Sequence, residues 1–186
     1  MTRADDDLTF PVAGLLAEAP GATRHWAVGP TIVDPGPGIE LARPVEGDLD
    51  LARTNRGLLV RATVRTALAE ACSRCLRPTE TPLELAIDEE ALPLVDLTSG
   101  QALDVTDEPD VARLTGDHEL RLLPLVVDAI IMAEPIAPLC RPDCPGICPT
   151  CGRDLSEPGH EPHEAEIDPR LEVLRAFRVD DSGETD

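Results

Sequence analysis

The chain contains no lysine and no tyrosine, and among 186 residues it has one tryptophan and two phenylalanines. With aromatics at 2%, the core must be built from Leu, Val, Ile and Ala, and the stacking platforms that single-stranded nucleic acids use are missing. No apolar run reaches bilayer length. The longest stretch, Leu122–Cys140, is broken by Pro124, Asp128, Glu134, Pro135 and Pro138, which excludes a membrane-spanning helix there. The opening residues MTRADDD lack a basic segment followed by an apolar one, so the expected location is the cytoplasm. No phosphate-cradling glycine loop, nucleophile elbow or HExxH occurs, and neither an enzyme nor a small-molecule substrate is expected.

Positive charge is also scarce. Sixteen arginines face 36 acidic residues, a formal charge of −20, which argues against a general nucleic-acid-binding module because phosphate affinity comes from clustered cations. The distribution is uneven. Between Leu51 and Pro78 lie Arg53, Arg56, Arg61, Arg65, Arg74 and Arg77 with Glu70 as the single acid, a local charge of +5 that leaves −25 on the remainder. Isolated histidines are weak site candidates: His25 and His118 have no partner at ligand spacing. The runs Asp5–Asp7 and Asp88–Glu90 read as solvated charge.

What the chain does have is paired metal donors. Six cysteines and two of the four histidines form the pairs Cys72/Cys75, Cys140/Cys144, Cys148/Cys151 and His160/His163, the ligand count of two tetrahedral zinc sites. In a reducing compartment such pairs are thiolate ligands more readily than disulfides. Cys148-Pro-Thr-Cys151-Gly152, followed by His160 and His163, makes a complete local set, and Gly152 permits the backbone geometry that turns amides toward sulfur. Cys72 and Cys75 would then share the second ion with Cys140 and Cys144. Two other partitions stay open on spacing alone. One is an all-cysteine set from Cys140 to Cys151, leaving Cys72 and Cys75 with the histidines. The other has the two CxxC knuckles facing each other, with Cys140, Cys144, His160 and His163 as the remainder. With all eight donors engaged, the metal has no open position, so its expected role is structural. A thioredoxin-like role for Cys72-Ser-Arg-Cys75 wants a helix after the first cysteine, which Pro78 and Pro82 oppose.

Around these pairs the pattern predicts an α+β fold: an antiparallel sheet with a packed helix and a C-terminal zinc-knuckle segment. Residues 1–9 are expected to be disordered. A domain over 10–139 begins with a helix over Phe10–Pro20 and a strand over Thr23–Val28, followed by a Pro/Gly loop. DLDLAR at 48–53, a turn over Thr54–Gly57 and the alternating run from Leu58 to Leu68 form a hairpin. Its second strand points Arg61 and Arg65 away from the apolar face, and Arg53, Arg56, Arg61 and Arg65 are the candidate RNA or partner contacts. A third strand carries Leu83, Leu85 and Ile87. An acidic, flexible connection spans 94–117, then a helix starts at Pro124 and stops before Pro135. Residues 140–178 hold the knuckle segment and a terminal helix capped by Asp168-Pro169, and 179–186 are an acidic disordered tail.

Taken in order, CSRCL at 72–76, PIAPLC at 135–140, DCPGICPTCGRDL at 143–155 and IDPRLEVL at 167–174 resemble the YceD family of large-subunit ribosomal RNA accumulation proteins, over roughly 58–177. The resemblance implies a part in synthesis, processing or stability of that RNA, and no enzymatic activity. It also implies that Cys72 and Cys75 pair with Cys140 and Cys144, since some members resemble this chain at those positions while lacking the second knuckle. Where many relatives close the second site with cysteines, this chain has His160 and His163. The expected function is a zinc-stabilised factor in ribosome biogenesis whose acidic surface engages a basic ribosomal protein or rRNA-processing factor, with possible large-subunit rRNA contact through the arginine face. The alternative is a redox or zinc-buffering protein using labile CxxC thiolates.

Overall fold

The computed structural model describes residues 7–104, 111–160, 163, 170 and 171. Its elements in order are β1 (Thr9–Pro11), α1 (Ala13–Leu16), β2 (Thr23–Thr31), β3 (Leu41–Arg53), β4 (Leu58–Ala71), β5 (Pro78–Leu92), β6 (Ala112–Arg113), β7 (Glu119–Arg121) and α2 (Leu123–Ala133). Strands β2 to β5 form an antiparallel meander in sequence order, and β1 pairs with β7 in a separate two-stranded sheet.

The long strands follow from alternation. Along β4, Leu58, Val60, Ala62 and Val64 are buried while Arg61, Thr63 and Arg65 are exposed, as the period of two demands. The hairpin turn closes with the Thr54 N–H donating to the Gly57 carbonyl at 3.0 Å. Helix α2 has Pro124 in its first turn and buries Val126 and Ile130 in the core, beside Leu85 and Ile87 of β5. The core is aliphatic except for Phe10, with Trp26 partly buried against it.

Several expectations change. The helix predicted over 10–20 is a strand followed by a single helical turn, because Leu8, Phe10 and Val12 alternate inward and Leu8–Pro11 lies beside β7. The ordered chain therefore begins before Phe10. The strand at 23–28 extends to Thr31, and the DLDLAR strand begins at Leu41. The sheet is mixed, since Ala112 and Arg113 pair in parallel with Ala91 and Leu92. The described parts of the 94–117 connection also carry local order: Val95 bridges Ala102, and the Asp96 carboxylate accepts from the Thr98 and Ser99 amides and the Ser99 hydroxyl. The remainder of the N-terminal segment, residues 105–110, most of the segment predicted as a terminal helix and the acidic tail lie outside the described residues.

The outer face of the sheet is a ladder of ion pairs. In register, Arg61 faces Asp88 and Arg65 faces Glu84, with N···O distances of 3.3 and 3.2 Å. Arg56 reaches Glu90 at 2.6 Å and Arg43 reaches Glu80 at 2.9 Å. All four arginines are more than half exposed, so each pair contributes little to stability. Replacing Arg61 and Arg65 by glutamine is expected to cost less than about 1 kcal/mol each. A denaturant titration reads this as a small midpoint shift at unchanged slope.

Candidate metal centres

Two loops bring the paired donors together. The first knuckle spans the junction of β4 and β5, the second follows α2, and both backbone and side-chain groups link them. Ser73 donates its amide and hydroxyl to the Pro138 carbonyl at 2.8 and 3.0 Å. Arg74 accepts from the Ile147 amide at 3.2 Å and gives its guanidinium to the Cys144 carbonyl at 2.9 Å.

The knuckles share one conformation. In each, the amide four residues after the first cysteine donates back to that cysteine's carbonyl at 2.8 Å, Leu76 to Cys72 and Gly152 to Cys148. The residue after the second cysteine is left-handed in both, with φ of 60° at Leu76 and 71° at Gly152. Glycine adopts this freely, while a leucine pays about 1–2 kcal/mol. Gly146, at φ 83°, lies against Arg74, where a Cβ would come within 3.1 Å of the Arg74 carbonyl oxygen.

The donor atoms of Cys72, Cys75, Cys140 and Cys144 all lie within 4.8 Å of one another, and so do those of Cys148, Cys151, His160 and His163. This is the grouping of a sheet-to-loop site plus a local site; the two rival partitions are not the ones the fold assembles. Cys72 and Cys144 sulfurs are 3.8 Å apart and Cys75 and Cys140 sulfurs 3.7 Å. A tetrahedral ion with metal–sulfur bonds of about 2.3 Å has sulfur–sulfur edges of about 3.8 Å, so the first cluster fits zinc in donor chemistry and spacing. In the second, the Cys151 sulfur lies 3.5 Å from His160 Nε2, and the two imidazoles stand nearly perpendicular.

The electrostatics of the first cluster are split. Backbone amides of Cys140, Cys75 and Arg74 hold the Cys72 thiol down to about 6 against its burial. The Arg77 guanidinium, 3.4 Å from the Cys75 sulfur, lowers Cys75. Burial pushes Cys140 up to about 12 and raises Cys144 as well. The fold thus eases deprotonation of Cys72 and Cys75 and opposes that of Cys140 and Cys144, and a divalent cation would offset the second effect. Cys148 is likewise held down to about 6, chiefly by the Cys151 amide.

Three participants are not legible in the donor pattern: Leu76, Arg77 and Asp154. Arg77 lies between the sites, with Nε 3.3 Å from Asp154 Oδ2, and Asp154 also accepts from the Ser156 amide. The remaining candidates lie elsewhere. Arg53 is half-buried and donates to the carbonyls of Leu16, Thr54 and Gly57, stitching the hairpin to α1. His25 is exposed between Asp48 and Asp50, and neither it nor His118 joins a donor cluster.

Native mass spectrometry of the purified chain is expected to read two bound ions. Replacing both His160 and His163 by alanine is expected to leave one.

The chain belongs to the family described as large ribosomal RNA subunit accumulation protein YceD, whose model matches residues 60–178. It is 38% identical over 143 residues to an uncharacterized protein of Mycobacterium bovis, covering 74% of this chain and 66% of that protein. An uncharacterized protein of Mycobacterium leprae is 34% identical over 153 residues, 80% of this chain and 67% of the relative. The aligned part of the chain thus spans about two thirds of the length of the curated relatives it matches. No solved structure matches it. The family name points to accumulation of the large ribosomal subunit's RNA. No described helix is long and apolar enough to cross a membrane.

Proposed function

We propose that the chain is a non-enzymatic, zinc-stabilised factor in large-subunit ribosomal RNA accumulation, acting in the cytoplasm through a basic ribosomal protein or an rRNA-processing factor. The observation that carries this reading is the family match over 60–178, a span that contains both four-donor clusters. Cys72, Cys75, Cys140 and Cys144 would hold one ion, and Cys148, Cys151, His160 and His163 the other. The chemistry zinc supplies in such sites is a cross-link that fixes how the neighbouring surfaces are displayed. The formal charge of −20 supports a basic protein partner ahead of RNA.

RNA contact through Arg53, Arg56, Arg61 and Arg65 is the subordinate part of this reading. Arg61 and Arg65 stay more than 60% exposed, so a phosphate could displace a weak ion pair there, whereas Arg53 is committed to backbone carbonyls. At the first cluster burial disfavours the redox or zinc-buffering alternative, since Cys72 is 0% and Cys144 1% exposed, which slows attack by an external thiol or chelator; Cys151 of the second cluster is exposed.

Depleting the protein is expected to lower large-subunit rRNA relative to small-subunit rRNA, with affinity purification recovering ribosomal or RNA-processing proteins. An unchanged rRNA ratio together with no such protein recovered overturns the proposal. If replacing the four arginines by glutamine leaves salt-dependent RNA retention unchanged, the RNA contact is eliminated while the protein-partner reading stands.

A further inference from the structure

Among the described residues the sheet has an open edge beside the long helix. Among the described residues β5 pairs on its outer side only at Ala91 and Leu92, where β6 lies, so residues 78–90 have a ladder partner on the β4 side alone. Pro78 and Pro82 carry no amide donor, which leaves Leu83–Glu90 as the stretch able to accept another strand. Natural edges of this length are normally shortened, bulged or covered. Here α2 runs beside the edge, and the two enclose a groove of about 520 Å³.

The lining of the groove specifies its occupant. Its apolar part is Leu85 and Ile87 from the strand with Leu125 and Met132 from the helix, and Met132 is 87% exposed. Its charged part is Glu84, Asp88, Glu89 and Asp128, with no basic residue in the lining. Glu84 and Asp88 turn toward Arg65 and Arg61 on the outer face. Glu89 follows Leu85 and Ile87 in the alternation that faces the helix. A second copy of this chain pairing edge to edge would bring carboxylates against carboxylates, which disfavours self-association.

We propose that Leu83–Glu90 and α2 form a strand-addition site for an extended, basic polypeptide segment of alternating character. Its backbone completes the ladder, its apolar side chains enter between β5 and α2, and its arginine or lysine side chains lie along the row of Glu84 and Asp88. This rests on the protein-partner reading above and supplies its docking mode.

The test uses the full, metal-replete chain titrated with a capped octapeptide of alternating arginine and valine, followed by amide chemical shifts. Shifts are expected to concentrate at residues 83–90 and 125–133. Two further peptides keep every charge but carry N-methyl groups on all valine or all arginine nitrogens, and at least one of them is expected to bind at least tenfold more weakly because its ladder donors are gone. A Glu89→Arg/Asp128→Arg double variant with unchanged melting temperature is expected to weaken the parent peptide at least tenfold. Equal affinity of all three peptides, shifts spread over the acidic surface, or a dimer of the chain formed through 83–90 each overturns the proposal. The octapeptide has no ribosomal sequence, so its failure beside continued recovery of ribosomal proteins rejects the docking mode alone. Intact peptide binding with unaltered rRNA on depletion rejects the functional reading alone.

Discussion

Replacing Cys144 by serine is expected to reduce the bound metal from two ions to one and to release the segment after α2 from the sheet, while the sheet itself stays folded. The donors of this cluster come from two places, the β4–β5 junction and the loop beyond Pro138, and Cys144 is 1% exposed with its sulfur 3.8 Å from that of Cys72. Structural zinc in small peptides is worth about 10–16 kcal/mol, as much as the whole stability of many domains. What else fastens the segment is a handful of hydrogen bonds, Ser73 to Pro138, Ile147 to Arg74 and Arg74 to Cys144, each worth about 1–3 kcal/mol, together with the Arg77–Asp154 ion pair. The aliphatic core from Leu8 to Ile130 forms a separate cluster from Cys72, Cys75 and Cys144, so its burial survives loss of the ion. Native mass spectrometry should read one ion, and limited proteolysis should cut within 138–160 while fragments covering β2 to β5 persist. Retention of two ions, or collapse of the sheet together with the loop, would sink this assignment. Chelation of the parent protein should give the same proteolytic pattern, reversed by adding zinc back.

The meander was legible because β3, β4 and β5 alternate over many residues, and α2 because proline stands at both of its ends. The donor pairs were legible as pairs; spacing suggested the partition between sites but left two rivals open, and the family resemblance favoured it. Arg61 and Arg65 were read correctly as exposed and incompletely as basic, whereas Arg53 is half-buried against backbone carbonyls and does not belong to that face. Arg61 and Arg65 are four apart, and so are Glu84 and Asp88, in the reversed order that an antiparallel register matches. That correspondence existed in the sequence but only acts once the register is fixed. Other features left no local signal. A two-residue parallel strand such as β6 is too short for periodicity to reveal, and nothing about Leu76 marks it as left-handed except its place after a CxxC. Arg77 and Asp154 meet only because the two loops are brought side by side.

The positions that govern the sheet's shape are better tested at a glycine than at the apolar core. Gly47 lies in β3 just past the irregular pairing between Arg43 and Glu46, opposite Val64. A Cβ there would stand 2.0 Å from the Thr63 carbonyl oxygen and 2.8 Å from the Val64 Cα. Both atoms are backbone of the adjacent strand, so no rotamer change relieves the overlap; β3 and β4 must separate or the register must slip. Overpacking of this kind costs about 1–3 kcal/mol and at times more, and a backbone clash belongs at the upper end. Gly47→Ala is therefore expected to lose about 3 kcal/mol, a fall of about 6–12 °C in Tm for a chain of this size. Gly116→Ala is the control, since a Cβ there meets nothing within 4 Å and its φ is ordinary; it should change stability by less than about 1 kcal/mol. Both are read by denaturant and thermal unfolding with zinc in excess, so that metal loss does not contribute. A Gly47→Ala protein as stable as the control would mean that the β3–β4 spacing is not fixed at this point. The consequence reaches the proposed site, because β4 is the strand that holds β5 in place. A slipped register would move Arg61 and Arg65 off Asp88 and Glu84 and tilt the β5 edge against α2. Weakened octapeptide binding in a Gly47→Ala protein that retains both ions would then report the sheet's contribution separately from that of the metal.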